Sequence, residues 1–378
     1  MDCCDPATNP TPGEEGLTMR AAVLRQAGTP LTIEEIDIDD PGPGEVQIRT
    51  TAAGVCHSDL HFIKGLHHTS MPCVPGHESA GVVEAVGPDV TYVEPGDHVI
   101  TCMSAFCGVC RNCTAGRPVL CESTETWRAP GQPSRLSQKG QPVTQLYNLA
   151  SYAEAMLVHE RACVKVRHDM PLDRGALIGC AVMTGFGAVV NTARIPVGAS
   201  VVVIGCGGIG LSALNGAAVA GAGTIIAVDV SSKKLAAART FGATHVVDAS
   251  VEDPIAAVHA LTKQGADFSF EAVGRKETVE QAYEMIRYGG TTVVIGMVPQ
   301  GQKLEIDAEA LLMEKTLTGS NMGSNRFRED IPQLVEFYLS GKLHLDEMVT
   351  ARVNLDDINE AFAAMSAGEV ARSVIVFD

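Results

Sequence analysis

Four cysteines lie close together near the end of the first third of the chain. They are Cys107, Cys110, Cys113 and Cys121, with the spacing C-x2-C-x2-C-x7-C. Thiolates this close together in a reducing compartment converge readily on one tetrahedral Zn²⁺, and four protein ligands leave no open position for a substrate. The spacing therefore predicts a structural zinc site. An iron–sulfur cluster is the competing interpretation, because its ligands can also lie two or three residues apart.

A glycine-rich motif in the second half of the chain could bind a dinucleotide. The motif is Gly205-Cys206-Gly207-Gly208-Ile209-Gly210, which matches G-x-G-x-x-G. It follows an apolar run and opens a predicted helix at 209–220, and Asp229 ends the next predicted strand. Gly205 would permit the tight turn, Gly207 would let the backbone approach the pyrophosphate, and Gly210 would let the helix pack on the strand. Asp229 would accept hydrogen bonds from the adenosine ribose and repel a 2′-phosphate, which favours NAD over NADP. Lys234 could lie over the same ribose.

The hydrophobic pattern that must position these motifs changes along the chain. From about residue 19 to 100, short β-type runs alternate with turns, which predicts a largely antiparallel, barrel-like unit. The polar stretch at 122–150 is predicted as a long lobe or loop. From about residue 182, apolar strands alternate with helices, which predicts a parallel doubly wound sheet and an α/β fold. The predicted organisation is a flexible extension at 1–18, a mainly β unit at 19–181, a dinucleotide-binding unit at 182–321 and a return to the first unit at 322–378.

Composition limits the function class. The 378 residues include 28 Lys and Arg against 45 Asp and Glu, so the formal net charge is −17. This balance argues against a nucleic-acid groove or a membrane surface as the main partner, because both need a basic patch. The first residues lack the basic and apolar regions of a signal peptide. The uncharged stretch 196–228 is broken by glycines and fits strand–turn–helix–strand better than a spanning helix. We therefore expect a soluble, cytoplasmic protein with reduced thiols.

Three further segments complete a recognisable set of motifs. They are Cys56-His57-Ser58-Asp59, Gly76-His77-Glu78 and Gly179-Cys180-Ala181. Together with the glycine-rich motif and the four cysteines, they make the chain from about Met19 to Asp378 resemble the zinc-dependent medium-chain alcohol dehydrogenases. The resemblance implies a GroES-like, mainly β catalytic domain joined to a Rossmann domain, with NAD and two zinc ions per chain. It implies hydride transfer between NAD and an alcohol, most readily a primary, allylic or aromatic one, to give the aldehyde or ketone.

The resemblance also implies a second, catalytic zinc. Its ligands would be Cys56, His77 and Cys180, with a fourth position open for the substrate hydroxyl. Asp59 is similar to the carboxylate that orients the ligating histidine, and Glu78 is similar to the acidic residue of the family beside that ligand. Two thiolates would cancel the charge of the metal and leave a Lewis acid that still lowers the pKa of a bound hydroxyl.

Roles around the cofactor and the substrate follow from the same resemblance. Ser58 would be the first member and His61 the last member of a relay that removes the alcohol proton, with a ribose hydroxyl of the nicotinamide side between them. Met103 falls in the expected wall of the substrate pocket. Beyond Asp229 and Lys234, the expected cofactor contacts are His57 and Arg372 at the pyrophosphate, Thr184 at the nicotinamide, and Gly205, Gly207, Gly208, Ile209 and Gly210 in the turn.

Several activities stay open within and beyond the family. The branch that oxidises the formaldehyde–glutathione adduct has an Arg four residues after the last structural cysteine, where this chain has Glu125. The thiol-dependent formaldehyde dehydrogenase therefore ranks second, although Arg128 could partly compensate. An NAD(P)H-dependent biosynthetic carbonyl reductase is a further alternative, because sequence does not set the direction. A non-enzymatic zinc-ribbon binding protein is disfavoured, because Arg111 and Arg117 flank the cysteines without a basic run.

The expected partners are few. The main one is a small alcohol or aldehyde. The long segment between Cys121 and Cys180 resembles that of the dimeric members of the family, so the chain is expected to form a homodimer.

Overall fold

The computed structural model describes residues 17–129, 131–368 and 371–377. The strands in these ranges, in chain order, are the following: β1 (Leu17–Val23), β2 (Thr32–Ile38), β3 (Glu45–Gly54), β4 (Cys73–Val74), β5 (Ser79–Val86), β6 (His98–Thr101), β7 (Leu136–Gln138), β8 (Gln141–Gln145), β9 (Ala155–His159), β10 (Cys163–Lys165), β11 (Ser200–Ile204), β12 (Thr224–Asp229), β13 (His245–Asp248), β14 (Ala266–Glu271), β15 (Ile286–Val294), β16 (Thr316–Gly319), β17 (Val349–Val353) and β18 (Arg372–Val376). The helices are α1 (His57–Ile63), α2 (Arg111–Thr114), α3 (Leu172–Leu177), α4 (Met183–Gly187), α5 (Gly208–Val219), α6 (Ser232–Ala238), α7 (Pro254–Thr262), α8 (Lys276–Glu284), α9 (Glu309–Leu312), α10 (Phe327–Leu339), α11 (Leu345–Met348) and α12 (Ile358–Ser366). Most of the predicted N-terminal extension lies outside the described residues, and its last two residues, Leu17 and Thr18, already belong to β1.

The first half of the chain forms a mainly antiparallel β unit, which the last strands rejoin. One sheet has the order β1-β2-β7-β8-β4, and a larger one has the order β10-β6-β5-β3-β18-β17, with β9 also paired to β3. The C-terminal strand β18 pairs antiparallel with β3 and parallel with β17. This is the β unit that the short alternating runs predict. The domain boundaries themselves stay a prediction.

The second half of the chain forms a separate six-stranded sheet of the order β13-β12-β11-β14-β15-β16. All of its neighbouring strands run parallel. Its central strand β11 is a run of valines that is buried on both faces, as expected where helices cover both sides of a sheet. The strand order is that of a doubly wound dinucleotide-binding fold, so the predicted fold class is confirmed. The order reverses between β11 and β14, and ligands bind such sheets at the carboxyl ends of these two strands.

A continuous helix from Leu172 to Ala193 links the two units. It consists of α3, a π-helical turn at Ile178–Val182, α4 and a second π-helical turn at Ala188–Ala193. By length and composition this helix could cross a membrane, but 78% of its apolar window is buried inside the fold. Core helices pass the same test of length and composition, and this burial favours a core helix. Turns of π-helix inside α-helices are frequent at functional sites.

The prediction of a long loop at 122–150 is wrong for its second half. Strands β7 and β8 form an antiparallel hairpin there, and β7 also pairs with β2. The two connecting residues, Lys139 and Gly140, have φ values of 50° and 73°. Two successive residues with positive φ form the turn that matches the twist of a two-residue hairpin. The strands are short and polar, so their hydrophobic pattern gave no signal.

Candidate active site

Three separate segments bring four side chains that could ligate a metal into one buried cluster. Cys56 lies two residues after the end of β3 and directly before α1, while His77 and Glu78 directly precede β5. Strands β3 and β5 pair antiparallel, which places these two segments side by side. Cys180 lies in the π-helical turn at Ile178–Val182. All four side chains are buried, and their potential ligand atoms lie within 4.8 Å of one another.

The two ring nitrogens of His77 have different surroundings. Nδ1 lies 3.0 Å from Oδ1 of Asp59, and Nε2 is buried without a hydrogen-bond partner in the described residues. A histidine that ligates a metal typically donates its other ring N–H to a carboxylate in this way. Two cysteine sulfurs and one imidazole nitrogen are a donor set that suits zinc. Cys56, His77 and Cys180 could therefore hold a zinc ion that keeps one position open.

The two candidate cysteine ligands affect each other's ionisation. A hydrogen bond from the Cys180 thiol lowers the pKa of Cys56 well below the usual value. The same hydrogen bond, together with burial, raises the pKa of Cys180 well above it. The two thiols therefore do not ionise independently, and metal ligation would require both to be ionised.

Glu78 connects the cluster to two other elements. Its carboxylate accepts a hydrogen bond of 3.1 Å from the backbone N–H of Ala181, in the π-helical turn, and forms a buried ion pair with Arg372 of β18. Burial raises the pKa of Glu78 to about 7, although Arg372 opposes the shift. A side chain on residue 54 would collide with the Glu78 carboxylate and with Leu177, so the glycine at this position makes room for Glu78. Charge and hydrogen bonds thus hold Glu78 next to the other three members of the cluster.

The four-cysteine cluster lies in a separate lobe around α2. The sulfurs of Cys110 and Cys113 are 3.5 Å apart, and all four sulfurs lie within 4.8 Å of one another. Backbone N–H groups of Val109 and Cys110 point at the sulfur of Cys107 and lower its pKa to about 6. Such donors stabilise thiolates, and four converging thiolates form a closed tetrahedral site. The geometry is that of a structural metal site.

A cleft of about 540 Å³ lies between the β unit and the carboxyl ends of β11 and β14. It is lined by predicted site residues from both halves of the chain, namely Cys56, His57, Ser58, His61, Gly205, Gly207, Gly208, Ile209, Asp229, Lys234 and Arg372. The lining of the cleft therefore joins the candidate metal cluster to the glycine-rich turn.

The glycine-rich turn has the geometry that a dinucleotide needs. Gly205 has a φ of +94°, and a side chain at Gly210 would overlap the carbonyl oxygen of Gly205. A side chain at Gly207 would meet no protein atom within 4 Å, so open space lies above this residue. The carboxylate of Asp229 accepts hydrogen bonds from the backbone N–H groups of Cys206 (2.7 Å) and Ser231 (2.9 Å), which fix it at the cleft wall. The turn therefore fits a pyrophosphate over its backbone and a ribose at Asp229.

Arg372 occupies a position between the turn and the metal cluster. Its side chain packs against Gly208, where an added Cβ would lie 2.7 Å from Cδ. One guanidinium nitrogen pairs with Glu78, and Nε is buried without a hydrogen-bond partner in the described residues. An orphaned cationic donor beside the turn suits a bound phosphate.

The proposed relay residues face the same cleft without touching each other. The Ser58 hydroxyl points at the sulfur of Met297 at 3.3 Å, and within the described residues no hydrogen bond joins Ser58 to His61. Burial lowers the pKa of His61, and its Nδ1 is buried without a hydrogen-bond partner among the residues that the structure describes. A ribose hydroxyl between the two side chains is compatible with this gap.

Two predicted contacts do not line the cleft. Thr184 is buried, and its hydroxyl lies 3.5 Å from the sulfur of Met322. That sulfur is also 4.0 Å from the sulfur of Cys180. Met103 is half-buried and packs against one hydrophobic cluster of the β unit and against a second cluster that includes the linking helix and β11. The nicotinamide contact of Thr184 and the substrate contact of Met103 stay predictions.

Sequence reasoning missed three side chains that shape the site. Met297 lies beside Ser58, Met322 lies beside Cys180, and the buried Tyr152 donates a hydrogen bond to Asp59. No motif marks these residues, and long stretches of chain separate them from their partners. Only the pairing of the strands and the strand order of the parallel sheet bring them to the site.

Comparison with known proteins gives matches along nearly the whole chain. Residues 42–168 match the family described as alcohol dehydrogenase GroES-like domain, and residues 208–340 match the family described as zinc-binding dehydrogenase. The chain is 38% identical over 372 residues to S-(hydroxymethyl)glutathione dehydrogenase of Paracoccus denitrificans, covering 95% of the chain and 99% of that protein. It is 39% identical over 373 residues to alcohol dehydrogenase class-3 of Cereibacter sphaeroides, with coverage of 95% and 99%. The structure of benzyl alcohol dehydrogenase from Acinetobacter calcoaceticus is similar, with a TM-score of 0.89, 32% identity and coverage of 96% and 100%.

Proposed function

The chain belongs to the zinc-dependent medium-chain alcohol dehydrogenases, and from this premise we propose that it oxidises a primary alcohol, with the S-hydroxymethyl adduct of formaldehyde and a thiol as the leading substrate. Enzymes of this family use NAD, a catalytic zinc and a structural zinc. The observation that carries the proposal is the buried cluster of Cys56, His77 and Cys180, with the orphaned Nε2 of His77, at the edge of the dinucleotide cleft. Family membership also favours zinc over an iron–sulfur cluster at the four cysteines, and an enzyme over a zinc-ribbon binding protein.

When bound, zinc supplies a Lewis acid that lowers the pKa of the substrate hydroxyl, and NAD accepts the hydride. The residues of the chain must then take up a proton. Ser58 lines the cleft two residues after Cys56, where its hydroxyl can receive the proton of the alcohol and pass it on. Because burial lowers the pKa of His61 below its ordinary value, the ring is neutral near pH 7 and can accept that proton.

The finer choice of substrate depends on the relatives and on a few side chains. The relative named S-(hydroxymethyl)glutathione dehydrogenase supports the thiol adduct better than the free alcohols that sequence alone ranks first. The similar structure named benzyl alcohol dehydrogenase supports a free aromatic alcohol as the second candidate. The adduct is itself a primary alcohol, with the group S–CH2–OH, so the same metal and relay would serve both substrates.

Arg128, the cation that the sequence offers for the carboxylates of the thiol, is already paired with two acidic side chains. Arg128 is held by Glu45, with N–O distances of 2.7–3.3 Å, and by Asp39 at 2.5 Å. These ion pairs anchor the loop before β7 and argue against the expectation that Arg128 compensates for Glu125. Glu125 itself is exposed and lies 3.8 Å from Arg161.

Arg117 offers a different cation. It lines a groove of about 400 Å³ between the four-cysteine lobe and the carboxyl ends of β15 and β16. The groove shares Ile295 and Gly296 with the dinucleotide cleft, so the two cavities are neighbours. Within the described residues Arg117 forms no ion pair. Its guanidinium supports a substrate with an anionic tail that lies along this groove.

A comparison of substrates tests the proposal. NADH formation would be measured with formaldehyde plus glutathione, formaldehyde plus 2-mercaptoethanol, and benzyl alcohol. We expect the glutathione adduct to have the highest kcat/KM. Arg117→Ala should lower that value about fivefold, the effect of one exposed ion pair of about 1 kcal/mol.

The other substrates and a matched variant serve as controls. Arg117→Ala should leave kcat/KM unchanged for benzyl alcohol and for the mercaptoethanol adduct, which lacks carboxylates. Arg111→Ala, an exposed arginine of the same lobe that does not line the groove, should change none of the three values. Faster turnover of benzyl alcohol without any thiol would reject the adduct in favour of a free alcohol. Turnover only of aldehyde with NADH would favour the reductase alternative.

We also propose that the protein is a homodimer. β16 is the outer strand of the six-stranded sheet, and much of it is exposed. Next to it in the chain, Leu311, Leu312 and Met313 expose large apolar side chains, with Leu312 82% exposed. An unpaired strand edge beside exposed apolar residues favours pairing with another chain. A second copy related by a two-fold axis would pair β16 with β16 and extend the sheet.

Leu312→Lys is expected to shift the protein from dimer to monomer. In a two-fold interface the substitution is present in both chains, so two lysine charges would lie in the apolar contact. Dimerisation would then require both charges to be desolvated. Light scattering after size-exclusion chromatography would show the halved mass. Val251→Lys, a similarly exposed apolar residue of the same domain away from β16, should leave the dimer intact. A wild-type monomer or tetramer, or an unchanged mass for Leu312→Lys, would contradict this interface.

The cytoplasmic location stays part of the proposal. All described cysteines are free, which supports a reducing compartment. The net charge of −17 supports the absence of nucleic acid and anionic membrane as partners.

A further inference from the structure

Tyr152 is a buried residue whose hydroxyl lies beside the candidate zinc cluster. It donates to Oδ2 of Asp59 at 2.7 Å and is within 3.4 Å of the backbone N–H of Cys56, from which it can accept. The carbonyl of Gly54 lies at 3.2 Å and competes for the same proton. The Asp59 oxygen is favoured as the acceptor, because it lies at the shorter distance. One hydroxyl thus contacts the carboxylate behind one candidate ligand and the backbone of another.

The backbone around Tyr152 holds the segment that carries His77. The N–H of Tyr152 donates to the carbonyl of Pro75, and the N–H of Ser151 donates to the carbonyl of Gly76, both at 3.1 Å. Gly76 has a φ of +98°, and a side chain there would lie 2.7 Å from the backbone nitrogen of Tyr152. The two segments therefore pack too closely to move independently, and the position of Tyr152 relative to His77 is fixed.

Asp59 links Tyr152 to His77. Oδ1 lies 3.0 Å from both Nδ1 of His77 and the backbone N–H of Gly76, so Oδ2 depends on Tyr152 for its hydrogen bond. The Asp59 side chain is fully buried, so water does not replace a lost partner. Loss of the tyrosine hydroxyl would free the carboxylate to rotate, and the proton on Nδ1 of His77 would lose its fixed acceptor.

We propose that Tyr152 is a positioning residue for the catalytic metal site. By fixing Asp59, it keeps the proton of His77 on Nδ1 and the lone pair of Nε2 directed at the metal, and by contacting the backbone N–H of Cys56 it fixes the start of α1. This inference rests on the ligand set proposed above. It adds a residue, outside every motif, that acts on the metal through two hydrogen bonds.

Tyr152→Phe tests this role, because it removes only the hydroxyl and keeps the ring that packs edge-on against Phe362. Zinc release to a chelator would be followed in the holoenzyme. We expect one of the two zinc ions to leave about tenfold faster, the lower end of the effect seen when partners of metal ligands are removed. The other zinc serves as an internal control. With cobalt in the catalytic site, the visible spectrum should shift, and kcat should fall while the Kd for NAD stays unchanged.

The matched control is Tyr283→Phe. This tyrosine is also buried, and its hydroxyl has no hydrogen-bond partner in the described residues. It should leave zinc release and the cobalt spectrum unchanged. Asp59→Asn alone should accelerate zinc release as well, and in that background Tyr152→Phe should add less than about twofold, since coupled residues are not additive.

Unchanged zinc release and an unchanged cobalt spectrum in Tyr152→Phe would overturn the positioning role. The same acceleration in the Asp59→Asn background would also overturn it, because the hydroxyl would then act without Asp59. Failure of the proposed ligand set is a separate result, since the wild-type protein itself would then hold fewer than two zinc ions. If Tyr152→Phe does not fold, Asp59→Asn still tests the link from carboxylate to metal.

Discussion

Replacing Cys180 by alanine is expected to remove one of the two zinc ions per chain and to lower kcat/KM by at least about a thousandfold. Cys180 is one of the three proposed buried ligands, and its sulfur lies within 4.8 Å of the potential ligand atoms of Cys56 and His77. The Lewis acid at this site contributes several kcal/mol to stabilising the charge that develops on the substrate oxygen, and each 1.36 kcal/mol corresponds to about a tenfold change in rate. Metal analysis of the purified variant and steady-state kinetics with the best substrate would measure both effects.

Cys163→Ala is the matched control. Cys163 is also buried, but it lies on β10 outside both cysteine clusters. This variant should keep two zinc ions and nearly full activity. A Cys180→Ala protein that still holds two zinc ions and turns over at the wild-type rate would show that Cys180 is a core residue and that the open coordination site is formed differently.

Gly207→Ala is expected to weaken NAD binding about 10- to 100-fold without lowering the melting temperature. Gly207 has φ and ψ of −81° and −174°, which alanine adopts without strain, and its added methyl group would meet no protein atom within 4 Å. The methyl would instead occupy the space above the turn where the pyrophosphate is expected. Overpacking of this kind costs about 1–3 kcal/mol, which corresponds to the expected loss of affinity. Calorimetric titration with NAD and thermal unfolding of the unliganded protein would separate binding from stability.

Gly210→Ala makes the contrast. Its methyl group would overlap the carbonyl oxygen of Gly205, so this variant should lose stability as well as NAD affinity. If Gly207→Ala binds NAD as tightly as the wild type, the dinucleotide does not pass over this turn, and the interpretation of the cleft is wrong.

Much of the fold can be predicted from residues that lie close together in the sequence. The valine run of β11, the glycines that follow it and Asp229 at the end of β12 are adjacent in sequence, so their roles in one unit can be inferred from spacing alone. The four cysteines also lie within 15 residues, from Cys107 to Cys121, and form one cluster in the structure. Close spacing in the chain leaves few alternatives for where such side chains meet.

The rest depends on contacts that sequence does not encode locally. Cys180 reaches the metal cluster through a π-helical turn, and a helical pattern gives no sign of the extra residue in that turn. The pairing of Glu78 with Arg372 requires β18 to return beside β3, nearly 300 residues after Glu78 in the chain. The sequence offers Arg128 as a cation for the substrate, because its acidic partners, Asp39 and Glu45, are more than 80 residues away in the chain.

The most direct test of the central claim is the transfer of deuterium from the alcohol carbon to NAD. The holoenzyme would be incubated with NAD, glutathione and dideuterated formaldehyde, and in parallel with NAD and benzyl alcohol deuterated at the reacting carbon. Mass spectrometry of the cofactor would follow. We expect reduced cofactor that carries one deuterium on the nicotinamide ring, with the larger yield from the thiol adduct. The Cys180→Ala protein should form no deuterated cofactor. Reduced cofactor without deuterium, or no reduced cofactor from either alcohol, would contradict it.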